Sequence, residues 1–379
     1  MMTVINKVGA RKETPFRFDN VGSFLRPKTL KVARKAYQEG RLTKEELTLI
    51  EDEAIRDLVQ KQREIGLKAI TDGEFRRSWW HLDFMWGLNG VEKVDIDRGY
   101  QFNDEETRAE SARLTGKISG ESHPFVEHFK FIQQFADEEV IARQTLPAPA
   151  QFLLELQRPE NIETTQKVYP DMEELIEDIA SAYHTVISEL YEAGCRNVQL
   201  DDCTWGILVD ENFWKTLNDD ASVESYGRAF VEVNNKAIEG HPEDLAITTH
   251  VCRGNYHSTW ASSGAYDTVA EILFGDEKVD AYYLEFDTER SGGFESLVNV
   301  SEDKLVVLGL FSSKVGTLED KEEIKARIEE ASKYVPLERL CVSPQCGFAS
   351  TEEGNILTEE EQWEKLRLVR EVAEEVWGK

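Results

Sequence analysis

The stretch "LAITTHVC", residues 245–252, decides how this chain reads. It is an apolar, β-branched run of strand length, and it ends in His250 and Cys252, spaced two apart. Taken alone, the pair is weak. A cysteine near a strand end is more often a small buried hydrophobe than a ligand. Its weight depends on what the other runs of the chain carry at their ends.

Seven further runs resemble it: "FRFDNVGS" (16–23), "LKAITDGE" (67–74), "VIARQTLPA" (140–148), "RNVQLDD" (196–202), "DAYYLEFD" (280–287), "KLVVLGLFSS" (304–313) and "RLCVSPQC" (339–346). Helical periodicity separates most of them, over 44–65, 171–193, 223–239, 321–334 and 358–377. Pro170-Asp171 and Thr358 with Glu360 and Glu361 supply helix-start chemistry. Eight buried strands alternating with helices predict an α/β protein, a (β/α)8 TIM barrel, with a doubly wound open sheet as the alternative. The whole chain, 1–379, reads as a single barrel domain. Segment 80–139 is too long for a loop. It predicts an excursion after the second strand, a hairpin and a cover over one end of the barrel.

At 40% hydrophobic, the chain has ample material for a large core. Its net charge of −29 sits mostly in amphipathic stretches such as "KEELTLIEDEAIRDLVQKQ" (44–62). That charge reads as solvated helix surface and argues against nucleic acid or an anionic membrane as a partner. No apolar stretch approaches the ~18 residues of a membrane span, and the N-terminus has no signal-peptide core. Five cysteines, an odd number, fit reduced thiols and a cytoplasmic location. A homodimer stays open.

In a barrel of this kind the active site lies at the C-terminal ends of the strands. The unusual polar residues of this chain fall there: Gly22-Ser23, Asp72-Gly73-Glu74, Asp201-Asp202, His250 with Cys252, Glu285, and Cys346. His250, Cys252, Glu285 and Cys346 make a chemically coherent set. One imidazole, two thiolates and one carboxylate suit a four-coordinate Zn²⁺, and the soft sulfurs disfavour Mg²⁺ or Ca²⁺. Ligands drawn from three separate strands suit catalysis better than a structural staple. Cys195 and Cys341 read as packing residues, and so does Cys203, although it adjoins the site. The remaining histidines lack partners at ligand spacing. Asp72, Asp201 and Asp202 have helix capping as an alternative role.

With these residues in place, the chain resembles the cobalamin-independent methionine synthase family, in its catalytic C-terminal barrel and most closely in its short single-domain relatives. The matching stretches are "DNVGSFLRP" (19–27), "ITDGEFRRSWW" (70–80), "VQLDDCTWG" (198–206), "THVCRGN" (249–255), "YLEFD" (283–287) and "SPQCGF" (343–348). The resemblance implies a catalytic zinc on His250, Cys252, Glu285 and Cys346. It implies that Gly22, Ser23, Glu74 and Asp201 hold the amino-acid part of homocysteine, and that Glu285 and Asp201 take part in catalysis. It further implies methyl transfer to homocysteine from a methylfolate-type donor, giving methionine. Another thiol or alkyl donor, such as an epoxide, is the alternative within the fold, and a non-catalytic zinc-binding protein the alternative outside it. The chain departs from the pattern in lacking the N-terminal half of the full-length enzymes. It also has Phe311 where they carry a histidine, and Asn20 where short relatives often have one.

Overall fold

The computed structural model describes residues 15–212, 214 and 222–378. Most of the N-terminal stretch read for a signal peptide lies outside them. The strands are β1 (Ala69–Ile70), β2 (Asn89–Asp95), β3 (Glu110–Ser119), β4 (Ile141–Ala142), β5 (Gln144–Pro147), β6 (Asn197–Asp202), β7 (Ala246–Val251), β8 (Ala281–Glu285), β9 (Leu305–Phe311) and β10 (Leu340–Pro344).

Strands β5 to β10 form one parallel sheet in chain order. The sheet continues at both edges. β4 lies one residue before β5 and pairs in parallel with β1, and Arg143 N donates to Ile70 O at 2.9 Å. At the far edge Phe18 bridges Val342 in parallel. The first and second runs share no ladder, but Thr71 Oγ1 donates to Gly22 O at 2.5 Å and Phe24 N to Gly73 O at 3.1 Å. The eight runs therefore follow one another around a ring, in the order a (β/α)8 barrel requires.

The first two runs are shorter as strands than their apolar patterns predict. Run 16–23 contributes one bridge, and run 67–74 two paired residues. Gly22 at φ 131°, Gly73 at φ 66° and Glu74 at φ 62° turn the backbone out of the extended region there. Both runs end in turns that project side chains over the mouth instead of extending the ladder.

The helices start where their caps are. Thr43 and Thr358 each form a capping box, with Glu46 and Glu361, at the heads of helices Lys44–Glu64 and Glu359–Trp377. Asp171 caps helix Met172–Glu192. The main apolar core lies between strands and helices, and a separate cluster of Val21, Tyr283, Val307 and Cys341 fills part of the barrel interior. Polar side chains fill another part of it. Arg143 donates to both carboxylate oxygens of Asp19 (3.0 and 2.8 Å), to Tyr283 OH, to Asn197 Oδ1 and to Asn20 O. Tyr283 in turn donates to Asp19 Oδ2 at 2.8 Å.

Segment 80–139 holds helix Leu82–Gly87, the antiparallel hairpin β2–β3 and helix Pro124–Gln133. The link between the hairpin strands reaches the loop after β7. Asn103 N donates to Trp260 O at 2.9 Å, and Glu105 pairs with His257 at 2.8 Å. Part of the excursion thus leans over the C-terminal end of the barrel. Among the described residues, no helix is long and apolar enough to cross a membrane.

Candidate metal centre

His250 and Cys252 project from the end of β7 with the alternation that puts residues two apart on one face. Glu285 is the last residue of β8, and Cys346 lies two residues past β10. One ligand atom from each of the four lies within 4.8 Å of the other three, and all four residues are buried. The two sulfurs are 3.7 Å apart. His250 Nδ1 is 3.2 Å from Tyr283 O, which fixes the proton on that nitrogen. Its Nε2 is buried and has no hydrogen-bond partner. Gly254 N donates to Cys252 Sγ at 3.3 Å. Glu285 is held at both oxygens, by Arg253 N at 2.8 Å and Arg290 Nη2 at 3.0 Å.

The electrostatics ask for a cation. The adjacent Cys203 and Cys346 thiols and the neighbouring His250 imidazole hold Cys252 well below the ordinary thiol range despite burial. The same contact pushes Cys346 up, since the second thiol resists ionising beside the first. Burial pulls the His250 imidazole down, but Cys252, Asp201 and Glu285 outweigh it and raise it to about 9. Burial raises Glu285 as well. A divalent ion would relieve all four groups together. Two sulfurs, an unpartnered imidazole nitrogen and a carboxylate fit zinc in type and number.

Glu74 and Asp201 sit beside this group. Glu74 is a non-glycine residue in the left-handed region, a costly conformation for a side chain to hold. Its Oε1 accepts from Thr145 Oγ1 at 3.1 Å and pairs with Arg77 at 3.3 Å, while its Oε2 is buried and unpartnered. Burial raises its pKa. Asp201 accepts from Gln199 Nε2 at 2.8 Å. Burial is the main cause of its rise to about 7, with Glu74 adding to it and His250 opposing. The two carboxylates therefore sense each other. Ser23 O accepts from Phe348 N at 3.0 Å and Ser23 Oγ from Ala349 N at 3.3 Å. A Cβ on Gly347 would lie 1.9 Å from Ser23 Oγ, so only glycine lets the Cys346 turn close on the Gly22-Ser23 turn. By contrast, Asp72 accepts from Glu74 N, and Asp202 from Thr204 N and Asn234 Nδ2. Those two aspartates take the capping and packing role.

The profile of the family described as "Cobalamin-independent synthase, Catalytic domain" matches residues 16–375. The chain belongs to that family. An uncharacterized protein of Bacillus subtilis strain 168, YxjH, is 44% identical over 98% of this chain and 97% of its own. The solved structure of a candidate vitamin-B12 independent methionine synthase from Listeria monocytogenes is 40% identical, covers 97% of this chain and 99% of its own, and superposes with a TM-score of 0.76. A B12-independent methionine synthase from Shewanella sp. W3-18-1, at 21% identity, covers 96% of this chain and 98% of its own with a TM-score of 0.69, and shares the fold.

Against this family background, several residues at the mouth were not legible beforehand. Cys203, read as packing beside the site, lies close enough to Cys252 to favour ionisation of that thiol. Its place directly after Asp201-Asp202 was the signal. Arg290, which clamps Glu285, carried none, because it lies five residues past β8 in a short 3₁₀ turn, Glu289–Ser291. Asn20 is buried with neither side-chain atom partnered, and Phe311 is fully buried in the main core. Cys195 and Cys341 are buried, Cys195 donating to Asn197 O and Cys341 in the inner apolar cluster.

Proposed function

We propose that this protein is a zinc-dependent S-methyltransferase. It moves a methyl group from a methylfolate-type donor to the thiol of homocysteine, giving methionine. One observation carries this reading. Four donor atoms from three strands meet within 4.8 Å, one of them a buried imidazole nitrogen without a partner, next to two buried carboxylates.

His250, Cys252, Glu285 and Cys346 would hold the zinc. The ion supplies Lewis acidity that takes the place of the thiol proton and keeps the acceptor sulfur nucleophilic at neutral pH. The other duties fall to the chain. Tyr283 O holds the imidazole in one tautomer, and Gly254 N tempers the charge on Cys252. Glu285 is the hard ligand of the set, and Arg253 N and Arg290 already hold both of its oxygens. With a zinc ion bound, it would be the ligand whose place a thiol could take. Glu74 and Asp201 take the ammonium of the amino acid, and the Gly22-Ser23 turn its carboxylate. Held in this way, the acceptor sulfur attacks the methyl carbon. The S–C bond forms as the bond from carbon to the donor nitrogen breaks, and that nitrogen keeps the electron pair and takes a proton.

X-ray absorption at the zinc edge, with and without L-homocysteine, tests the reading. The expected result is a shell that gains one sulfur when the thiol is added. A shell that stays constant with homocysteine but changes with another thiol points to an alkyltransferase of different specificity. A shell that responds to no thiol leaves a zinc-binding protein without this chemistry.

A further inference from the structure

The turns after β9 and β10, which meet through Ser313 N and Gln345 Oε1, carry further unpartnered polar atoms, distinct from the candidate ligands and from Glu74 and Asp201. Ser313 Oγ, Lys314 Nζ and Gln345 Nε2 are all buried and have no hydrogen-bond partner. Their residues are 0%, 5% and 1% exposed. They come from neighbouring strand ends: Ser313 and Lys314 follow β9, and Gln345 follows β10 directly before Cys346. The backbone that carries them is pinned. Ser313 N donates to Gln345 Oε1 at 2.6 Å, Gln345 N to Phe311 O at 2.8 Å, and Asn355 Nδ2 to Ser313 O at 2.8 Å. The bond to Ser313 N uses the acceptor end of the Gln345 amide and leaves its NH₂ end over.

What remains is an ammonium, a hydroxyl and an amide NH₂. Buried donors without acceptors are costly, and native structures rarely keep them idle. The acidic groups that the Lys314 charge reaches are Glu285 and Cys346. Neither hydrogen-bonds it, and Glu285 is already engaged by Arg253 N and Arg290. This donor set suits an oxyanion.

We propose that Ser313, Lys314 and Gln345 form an anion-binding subsite for a carboxylate carried by one of the two substrates of the metal centre. The proposal rests on the thiol-activating reading given above. The carboxylate belongs either to the methyl donor or to the acceptor amino acid, in which case the subsite takes that role in place of the Gly22-Ser23 turn, and the two sources separate experimentally.

The test uses the full chain loaded with Co²⁺, whose thiolate charge-transfer band reports thiol binding directly. L-homocysteine is compared with 3-aminopropane-1-thiol, which keeps thiol and amine but lacks the carboxylate. Binding of 5-methyltetrahydrofolate is followed separately by equilibrium dialysis. Proteins compared are the wild type, Lys314→Met and the milder Ser313→Ala. If the subsite serves the acceptor, the wild-type preference for homocysteine falls about tenfold or more in Lys314→Met and less in Ser313→Ala, with the carboxylate-free thiol unaffected. If it serves the donor, the thiol preference stays and folate binding weakens by a similar factor. The proposal is overturned if both variants keep the thiol preference and the folate affinity. It is also overturned if Lys314→Met changes only the affinity for the metal, because Lys314 then merely offsets the charge of the ligand set. A wild-type band that ignores every thiol removes the thiol-activating reading, and this proposal with it.

Discussion

The barrel interior has two polar layers that differ in one respect. In the lower layer Arg143, Asp19 and Tyr283 satisfy one another, with Asn197 and the Asn20 carbonyl completing the set. In the upper layer His250 Nε2, Glu74 Oε2, Ser313 Oγ, Lys314 Nζ and Gln345 Nε2 are equally buried and unpartnered. Both layers forgo the branched apolar filling usual in such barrels. A closed network of buried polar groups makes the fold specific and rigid. An open one marks where a group from outside the chain completes the bonding. Burial and polarity alone do not distinguish a structural network from a site. The distinction lies in whether the hydrogen bonds close.

That comparison can be broken first at the metal group. His250→Ala or Cys346→Ala should remove both bound zinc and methyl transfer while the far-UV circular dichroism stays as in the wild type. Metal analysis and a turnover assay decide it, and a variant that keeps full zinc and full rate breaks the assignment. The lower layer should show the reverse. Arg143→Met strands the Asp19 carboxylate in the interior, and denaturant unfolding should show a loss of about 3–5 kcal/mol. A loss well under that range would mean that the closed network contributes little to the fold.

Glu74→Gln probes the upper layer more gently. It should raise KM for homocysteine about tenfold or more, with zinc content unchanged and kcat little affected. An unchanged KM removes Glu74 from ammonium binding. The smallest effect is expected outside the barrel interior. There Asn234 Nδ2 bridges Asp202 and Glu277, and burial, reinforced by Asp202, raises Glu277 to about 8. The folded protein therefore keeps a proton that the unfolded chain releases above its ordinary pKa of 4.5. Stability from this group is full below that value and is lost as pH rises towards 8. Glu277→Gln keeps the neutral shape, so its Tm should exceed that of the wild type by a few degrees at pH 9 and match it near pH 5. Equal differences at both pH values would contradict the assignment.

Much of this was legible in the sequence, for local reasons. The runs ending in His250, Glu285 and Cys346 are strands because apolar, β-branched segments between helices have few other options, and their polar ends follow from strand direction. Two helices begin at Asp171 and Thr358, as expected, because caps are written in residue type. Runs 16–23 and 67–74 looked like full strands because hydrophobic pattern does not report backbone sign, and Gly22, Gly73 and Glu74 adopt positive φ. Lys314, Ser313 and Gln345 were invisible for a different reason. A lysine in a loop reads as solvated, and only the packed structure shows that it is enclosed without a partner.

The contact between Gly347 and Ser23 has a consequence for how the molecule is made. The turn carrying Cys346 closes against a turn from the first strand, more than 300 residues earlier. During synthesis, at roughly 5–20 residues per second, His250, Cys252 and Glu285 emerge well before Cys346 does. A nascent chain that has not reached position 346 presents three of the four donors and an unsealed first turn. The fourth donor and the closed first turn therefore arrive together, so the complete donor set exists only after translation has passed through the eighth strand.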